Sequence, residues 1–316
     1  MNFAHWEHYY QSGSIASCPT TADGDYDREL RTVWESFLAP LPEAARVLDV
    51  GTGNGAIAAI AQALALRLQR HWQIHACDAA TIDPVRHVAD GVSRFQDVQF
   101  HSNIASEHLP FSDASFDAVT GQYALEWSVP TLALPEIARV LKPGAHALFV
   151  LANADAAMVQ SARIVQRDAS RVFDEWKVFT QLRQLLATPQ LSAADAQRQG
   201  LALQALIQEI KQALENRRGK ESDWLLALTL EAIRTLLDQR RQLPPEDMPT
   251  HIDHIERELR HGARRLGELA DYACDEARMQ AIEHWAITAG LQLIERAPHW
   301  YAGRDLVGWR LHLARA

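Results

Sequence analysis

Cysteine is scarce in this chain: three among 316 residues, Cys18, Cys77 and Cys274, far apart and with no C-x-x-C spacing. No basic-then-apolar leader pattern opens the sequence, so a reducing cytoplasm is the expected setting. Long hydrophobic runs are missing too. No stretch approaches the ~18 uninterrupted apolar residues of a membrane-spanning helix, and a soluble protein with no membrane partner is expected. Basic charge is in deficit, 31 Lys and Arg against 40 Asp and Glu, giving a net charge of -9 and a pI near 5.9. That balance argues against a broad phosphate-binding face and disfavours long nucleic acid as a partner.

Several chemical signatures are lacking as well. There is no serine, histidine and acid order with a nucleophile elbow, and no glycine-lysine-threonine phosphate loop. His251, His254 and His261 do not form a ligand cluster with open-site spacing, so no metal is expected. Internal repeats and low-complexity tracts are absent. An apolar content of 47% over this length allows one large domain or two ordinary ones with a sizeable core.

What is present centres on Val47-Leu48-Asp49-Val50-Gly51-Thr52-Gly53-Asn54-Gly55, followed by Ala56-Ile57-Ala58-Ala59-Ile60. The mostly apolar run reads as a buried parallel strand, the alternating glycines as a tight turn, and the alanine-rich run as a helix on the sheet. Glycine there admits close approach of a ligand to the backbone and reaches positive φ. A second strand, Ile74 to Asp78, places Asp78 past its carboxyl end, some twenty-odd residues after the last glycine. An acidic side chain there can accept from both hydroxyls of a ribose; capping the next helix is the competing role.

The D-x-G-x-G-x-G pattern of Asp49 to Gly55 resembles the first motif of the class I S-adenosylmethionine (SAM) dependent methyltransferases. Ser102-Asn103-Ile104, then Leu109-Pro110-Phe111, then Phe116-Asp117 are similar to a later segment of that family, with Asn103 replacing its usual aspartate. Arg139-Val140-Leu141-Lys142-Pro143-Gly144 resembles the helix and turn before its fifth strand. The resemblance implies SAM as cofactor and S-adenosylhomocysteine (SAH) as product. It implies cofactor contacts from Asp49, Gly51, Thr52, Gly53, Gly55, Asp78, Ala79, Asn103, Ile104 and Gln122. The Asn103 carbonyl would accept from an adenine amino group and the amide of Ile104 would donate to a ring nitrogen.

The expected architecture is α/β: a doubly wound, mostly parallel seven-stranded sheet closed by a C-terminal antiparallel hairpin, with a large all-helical insertion between strands five and six. Residues 1–44 read as an N-terminal cap with a helix from Arg28 to Leu38, 45–152 as the SAM-binding core, 153–278 as the insertion and 279–316 as completion of the core. Within the insertion, helices are expected over Ala162 to Leu186, Ser192 to Glu215, Ser222 to Leu243 and Thr250 to Ala273. Breaks fall at Thr188-Pro189, Arg218-Gly219 and Leu243-Pro244-Pro245, with capping boxes at Ser192-x-x-Asp195 and Thr250-x-x-Asp253. The insertion is expected to cover the active site or to join two subunits of a homodimer. After a helix from Met279 to Ala289, the closing hairpin is expected to pair Leu291 to Glu295 with Gly308 to Ala314 across a loop through 297–303.

Methyl transfer from a sulfonium is an in-line displacement in which positioning supplies much of the acceleration. If the acceptor carries a proton, a base is needed. Among His5, His8, Tyr9, Tyr10, Tyr123 and Glu126, the candidate catalytic groups are His8, Tyr10, Tyr123 and Glu126. The N-terminal aromatics and Tyr123 to Trp127 read equally as packing residues. The leading expectation is a methyltransferase for a small-molecule acceptor at O, N or C. The alternatives are an RNA or protein methyltransferase with the insertion as docking module, and a SAM-binding protein without catalysis.

Overall fold

Strands whose residues are apolar on both faces must be covered on both faces, and in this chain helices alternate with such strands to do so. A computed structural model describes residues 3–15, 26, 28–188, 191–217 and 223–316. The expected loop through Asp23-Gly24-Asp25, Cys18, and the breaks at Pro189 and Arg218-Gly219 lie outside the described residues.

The elements run α1 (Ala4–Gln11), α2 (Arg28–Leu38), β1 (Arg46–Val50), α3 (Ala56–Arg67), β2 (Gln73–Asp78), α4 (Pro84–His87), α5 (Gly91–Arg94), β3 (Val98–Ser102), β4 (Phe116–Gln122), α6 (Pro130–Val140) and β5 (Leu141–Leu151). After them come α7 (Ala157–Ser170), α8 (Val178–Leu186), α9 (Ala193–Glu215), α10 (Trp224–Gln239), α11 (Met248–Tyr272), α12 (Glu276–Thr288), β6 (Leu291–Tyr301) and β7 (Asp305–Arg315).

All seven strands form one sheet in the order β3-β2-β1-β4-β5-β7-β6. Strands β1 to β5 pair in parallel; β7 lies antiparallel to β5 and to β6. The doubly wound sheet with its C-terminal antiparallel hairpin is therefore present as expected. The chain winds outward from β1 through β2 to β3 and returns to β4 on the other side of β1. That reversal opens a crevice at the carboxyl ends of β1 and β4, where open α/β sheets take ligands.

The chain divides into two compact units, Met1–Val159 with Tyr272–Ala316, and Gln160–Asp271. In the first, Val47, Leu48 and Val50 of β1 are buried, and α3 covers the sheet with Ala58, Ala61 and Leu64. In the second, helices enclose their own core of Val172, Phe179, Leu182, Leu203, Leu206, Ile210, Leu226, Ile233 and Ile252. Leu203, Leu206 and Ile210 of α9 and Leu226 and Ile233 of α10, at helical spacing, enter that core. Ser192 caps α9, its hydroxyl accepting from the Asp195 amide.

Four local expectations are corrected. The helix expected over Ala162 to Leu186 is interrupted by a π-helical turn, Arg171–Glu175, and by Lys177 at φ 48°; the apolar rhythm continues across the break because Val172 and Val178 enter the same core. Thr250 is not a cap, because α11 already starts at Met248, and Asp253 pairs with Arg183 instead. Lys142-Pro143-Gly144 belongs to β5 rather than to a turn, with Gly144 at φ 74° beside an irregularity in the β4–β5 register. The loop expected through 297–303 is mostly strand: β6 continues to Tyr301, and the chain turns over Ala302 and Gly303, both at positive φ. Pro298 is tolerated because β6 is an edge strand, with one side open.

No described helix is long and apolar enough to cross a membrane.

Candidate functional site

The turn after β1 is organised from below by Asp49. Its carboxylate is buried, accepting from the Thr52 hydroxyl at 2.6 Å and from the Thr120 hydroxyl of β4 at 2.8 Å. Burial pushes this carboxyl up to about 7, the two hydroxyl donors pull it down, and the nearby Asp78 charge adds to the rise. Asp49 thus ties the glycine turn to the neighbouring strand. In the sequence the signal for this role of Thr120 is a hydroxyl within the apolar run Ala118-Val119-Thr120.

Each glycine of the turn has a positive φ and a packing reason of its own. A Cβ on Gly51 would meet the Ala124 Cβ at 2.3 Å, one on Gly53 the Tyr10 Cε1 at 2.9 Å, and one on Gly55 the Phe100 Cζ at 2.9 Å. Gly51 and Gly53 therefore let two other segments of the chain, the β4 edge and α1, reach the backbone of the turn.

Asp78 closes the turn from the side. Its Oδ2 accepts from the Gly53 amide at 2.9 Å and its Oδ1 from the Ala80 amide at 2.8 Å. Burial pushes this carboxyl up to about 6 while the two amides hold it down. Capping of the next helix falls to Asp83, which accepts from the Arg86 amide ahead of α4. Each Asp78 oxygen retains acceptor capacity beyond its one amide. Ala79 sits half-buried beside it.

Asn103, at φ 60°, donates its backbone N–H to the Ala80 carbonyl, and its side-chain oxygen accepts from the Thr81 hydroxyl at 3.2 Å. The Ile104 amide is already spent: it donates to the Asp78 carbonyl at 2.8 Å. The expected donation from that amide to a ring nitrogen is corrected accordingly, because the hydrogen bond instead ties the end of β3 to the end of β2. Gln122 at the β4 edge accepts from the Trp34 indole N–H at 3.0 Å, anchoring α2.

The catalytic candidates separate. Tyr10 comes to Gly53, and His8 lies on the same helix, partly exposed. Tyr123 and Glu126 are both held by distant parts of the chain. The Tyr123 hydroxyl donates to the Val307 carbonyl at 2.9 Å, its backbone held at φ 51°. Glu126 is wholly buried, with Oε1 accepting from the Ala152 amide at 2.7 Å and Oε2 buried without a hydrogen-bond partner. Burial pushes its carboxyl up to about 7 against the Ala152 amide and the Arg278 charge. The Glu126 carboxyl is thus buried and tied to the backbone just past β5. Only the folded chain could show this, since both residues sit at the sheet edge by sequence. Among the described residues no group of three or more His, Cys, Asp or Glu is placed to hold a metal ion.

A methyltransferase-domain family model matches residues 48–149, the span from β1 through β5 that carries this geometry. Malonyl-[acyl-carrier protein] O-methyltransferase of Herminiimonas arsenicoxydans is 38% identical over 117 residues, covering 35% of this chain and 39% of the relative. An uncharacterized methyltransferase of Mycobacterium bovis is 33% identical over 105 residues, covering 33% and 39%. Among solved structures, the YcgJ protein of Bacillus subtilis aligns at 24% identity over 61% of this chain and 86% of its own, with a TM-score of 0.35. The chain spans about two fifths of the length of the curated relatives it matches. Over residues 48–149 the chain matches the methyltransferase-domain family, and this is the stretch whose motifs resemble the class I, S-adenosylmethionine-dependent methyltransferases.

Proposed function

We propose that the protein is a SAM-dependent methyltransferase acting on a small-molecule acceptor. The observation that carries this reading is Asp78: a buried carboxylate at the carboxyl end of β2, oriented by the amides of Gly53 and Ala80 and retaining lone pairs for a diol. The residues fit an adenosyl group. Asp78 would accept from the ribose hydroxyls, the Asn103 side chain would meet the adenine edge, and Gly51 to Gly53 would face the amino-acid end. Bound there, SAM supplies an activated methyl group on a sulfonium.

The chain's own work is then positioning. Asp49, through Thr52 and Thr120, holds the turn to β4, and Gln122 with Trp34 holds the β4 edge to α2. Tyr10, Trp6 and Trp127 supply aromatic surface, the Trp6 and Trp127 rings meeting edge-on with centroids 5.1 Å apart. Such a wall suits an acceptor with apolar surface and excludes water from it. Where the acceptor carries a proton, His8 and Tyr10 are the candidate bases. The match with the carrier-protein methyltransferase covers 35% of this chain and 39% of the relative, so its acceptor is not carried over.

The test is titration calorimetry of the full chain with SAM and with SAH. Micromolar binding of both supports the reading; no heat with either sinks it.

A further inference from the structure

The segment 3–15 crosses the carboxyl edge of the sheet as a strap, and its attachment is unusual. Helix α1 has eight residues, short of the about 12–15 at which an isolated helix persists in water. His5 and Ile15 of the segment are buried, and Trp6, Tyr9 and Tyr10 are half-buried. Specific contacts add to this packing.

The central one is Asn54. Flanked by Gly53 and Gly55, and with Thr52 turned down to Asp49, Asn54 is the side chain the glycine turn offers to the strap. It is 2% exposed, and its Nδ2 donates to the Tyr10 carbonyl at 2.9 Å and the Ser14 carbonyl at 2.8 Å. Two carbonyl acceptors on one nitrogen fix the orientation of the amide. Its Oδ1 is buried with no hydrogen-bond partner, so the strap alone holds this side chain. Tyr10 accepts here at the same place where its ring covers Gly53. Further along, the Thr81 amide donates to Glu7 at 3.1 Å, and Gly13, at φ 77°, packs so that a Cβ would meet the His87 carbonyl oxygen at 2.5 Å. The strap thus joins the glycine turn, the end of β2 and α4.

We propose that Asn54 is a positioning residue that latches this strap over the cofactor turn, and that release of the latch admits and discharges the cofactor. The inference rests on the cofactor reading above. Asn54 touches no reacting atom in this role; it acts through Tyr10 and Ser14. Because the turn that would carry the cofactor also carries the latch, a shift of that turn moves Nδ2 relative to both carbonyls, and the strap responds.

Two variants test it from opposite sides of the contact. Asn54→Asp is nearly isosteric and removes both donated hydrogens; Gly13→Val forces the strap off α4 without touching the turn. Hydrogen–deuterium exchange of the strap amides, without ligand, reads the latch, and stopped-flow dissociation of SAH reads its consequence. In both variants strap exchange and SAH dissociation should each accelerate on the order of tenfold or more, the scale of losing two net hydrogen bonds. Exchange in β1 and β4 should stay at the wild-type rate. Damage to the turn alone would not be reproduced by Gly13→Val, which also carries the test if Asn54→Asp does not fold. Unchanged strap exchange in a folded variant, or accelerated exchange with unchanged SAH dissociation, overturns the latch. Failure of the wild-type protein to bind SAH at all overturns the cofactor reading instead.

Discussion

The ring of Tyr10 lies against Gly53: a Cβ built on that glycine would stand 2.9 Å from Tyr10 Cε1 and 3.3 Å from its hydroxyl oxygen. Gly53 also sits at φ 51°, where a β-branched residue is strained. Gly53→Val therefore strikes both the turn and the strap. SAH affinity should fall about 100-fold or more, at or above the upper end of the roughly 1–3 kcal/mol that local strain costs. Circular dichroism should show the wild-type secondary structure. Wild-type affinity in the calorimeter would mean that the cofactor does not use this turn.

Asp78 joins two backbone amides that belong to different segments, Gly53 of the first turn and Ala80 after β2. Asp78→Ala leaves both amides without that acceptor and should weaken SAH binding by ~1–3 kcal/mol. Asp78→Asn keeps one carbonyl acceptor and should fall between alanine and wild type. Equal affinity across all three proteins would move the ribose site elsewhere.

The buried carboxyls predict a pH dependence with a definite sign. Burial raises Asp49 from 3.8 to about 7 and Asp78 from 3.8 to about 6. Between those values the folded protein holds protons that the unfolded chain has released. Stability should then be fully present below 3.8 and decline as pH climbs toward about 7. Urea midpoints taken near about pH 5 and about pH 7.5 should drop for the wild type and drop less for Asp49→Asn. A wild-type midpoint that rises over this interval by more than the variant's would contradict the assignment.

The same carboxyls bear on ligand affinity in the opposite direction. Ionised Asp78 is the better acceptor for hydroxyl donors, so SAH should bind more tightly as pH rises through about 6. Asp78→Asn should show a flat profile over that range in calorimetry.

Glu126 should behave as a packing residue. Glu126→Gln preserves an acceptor for the Ala152 amide and should keep urea stability within about 1 kcal/mol, with turnover near wild type. Glu126→Ala strands that buried amide and should lose roughly 1–3 kcal/mol. Loss of turnover in a stable glutamine variant would restore Glu126 as a proton acceptor.

Much was legible in the order of residues. Local rules suffice for β1, with its apolar run and following glycines, for α9, with Ser192 as its cap, and for the C-terminal pair of strands, whose short connection forces them antiparallel. The spacing from Gly55 to Asp78 marked a ligand edge because strand, helix and strand fill a known length of chain. What misled were positions where a local signal competes with a distant partner. Thr250 looks like a cap until α11 begins before it, and Pro298 looks like a breaker until β6 proves to be an edge.

The sheet class, the glycine turn and the acidic residue that flanks it follow from hydrophobic period, backbone freedom and covalent spacing. Which polar groups are already engaged depends on contacts between distant segments. Tyr123 and Glu126 follow the end of β4, yet Val307 and Ala152, further along the chain, take up the Tyr123 hydroxyl and one Glu126 oxygen. Asn54, unremarkable among glycines, gains its significance from Tyr10 and Ser14, which lie some forty residues earlier. Hydrogen bonds and burial at such separations are set by the fold, and no local pattern of residues encodes them.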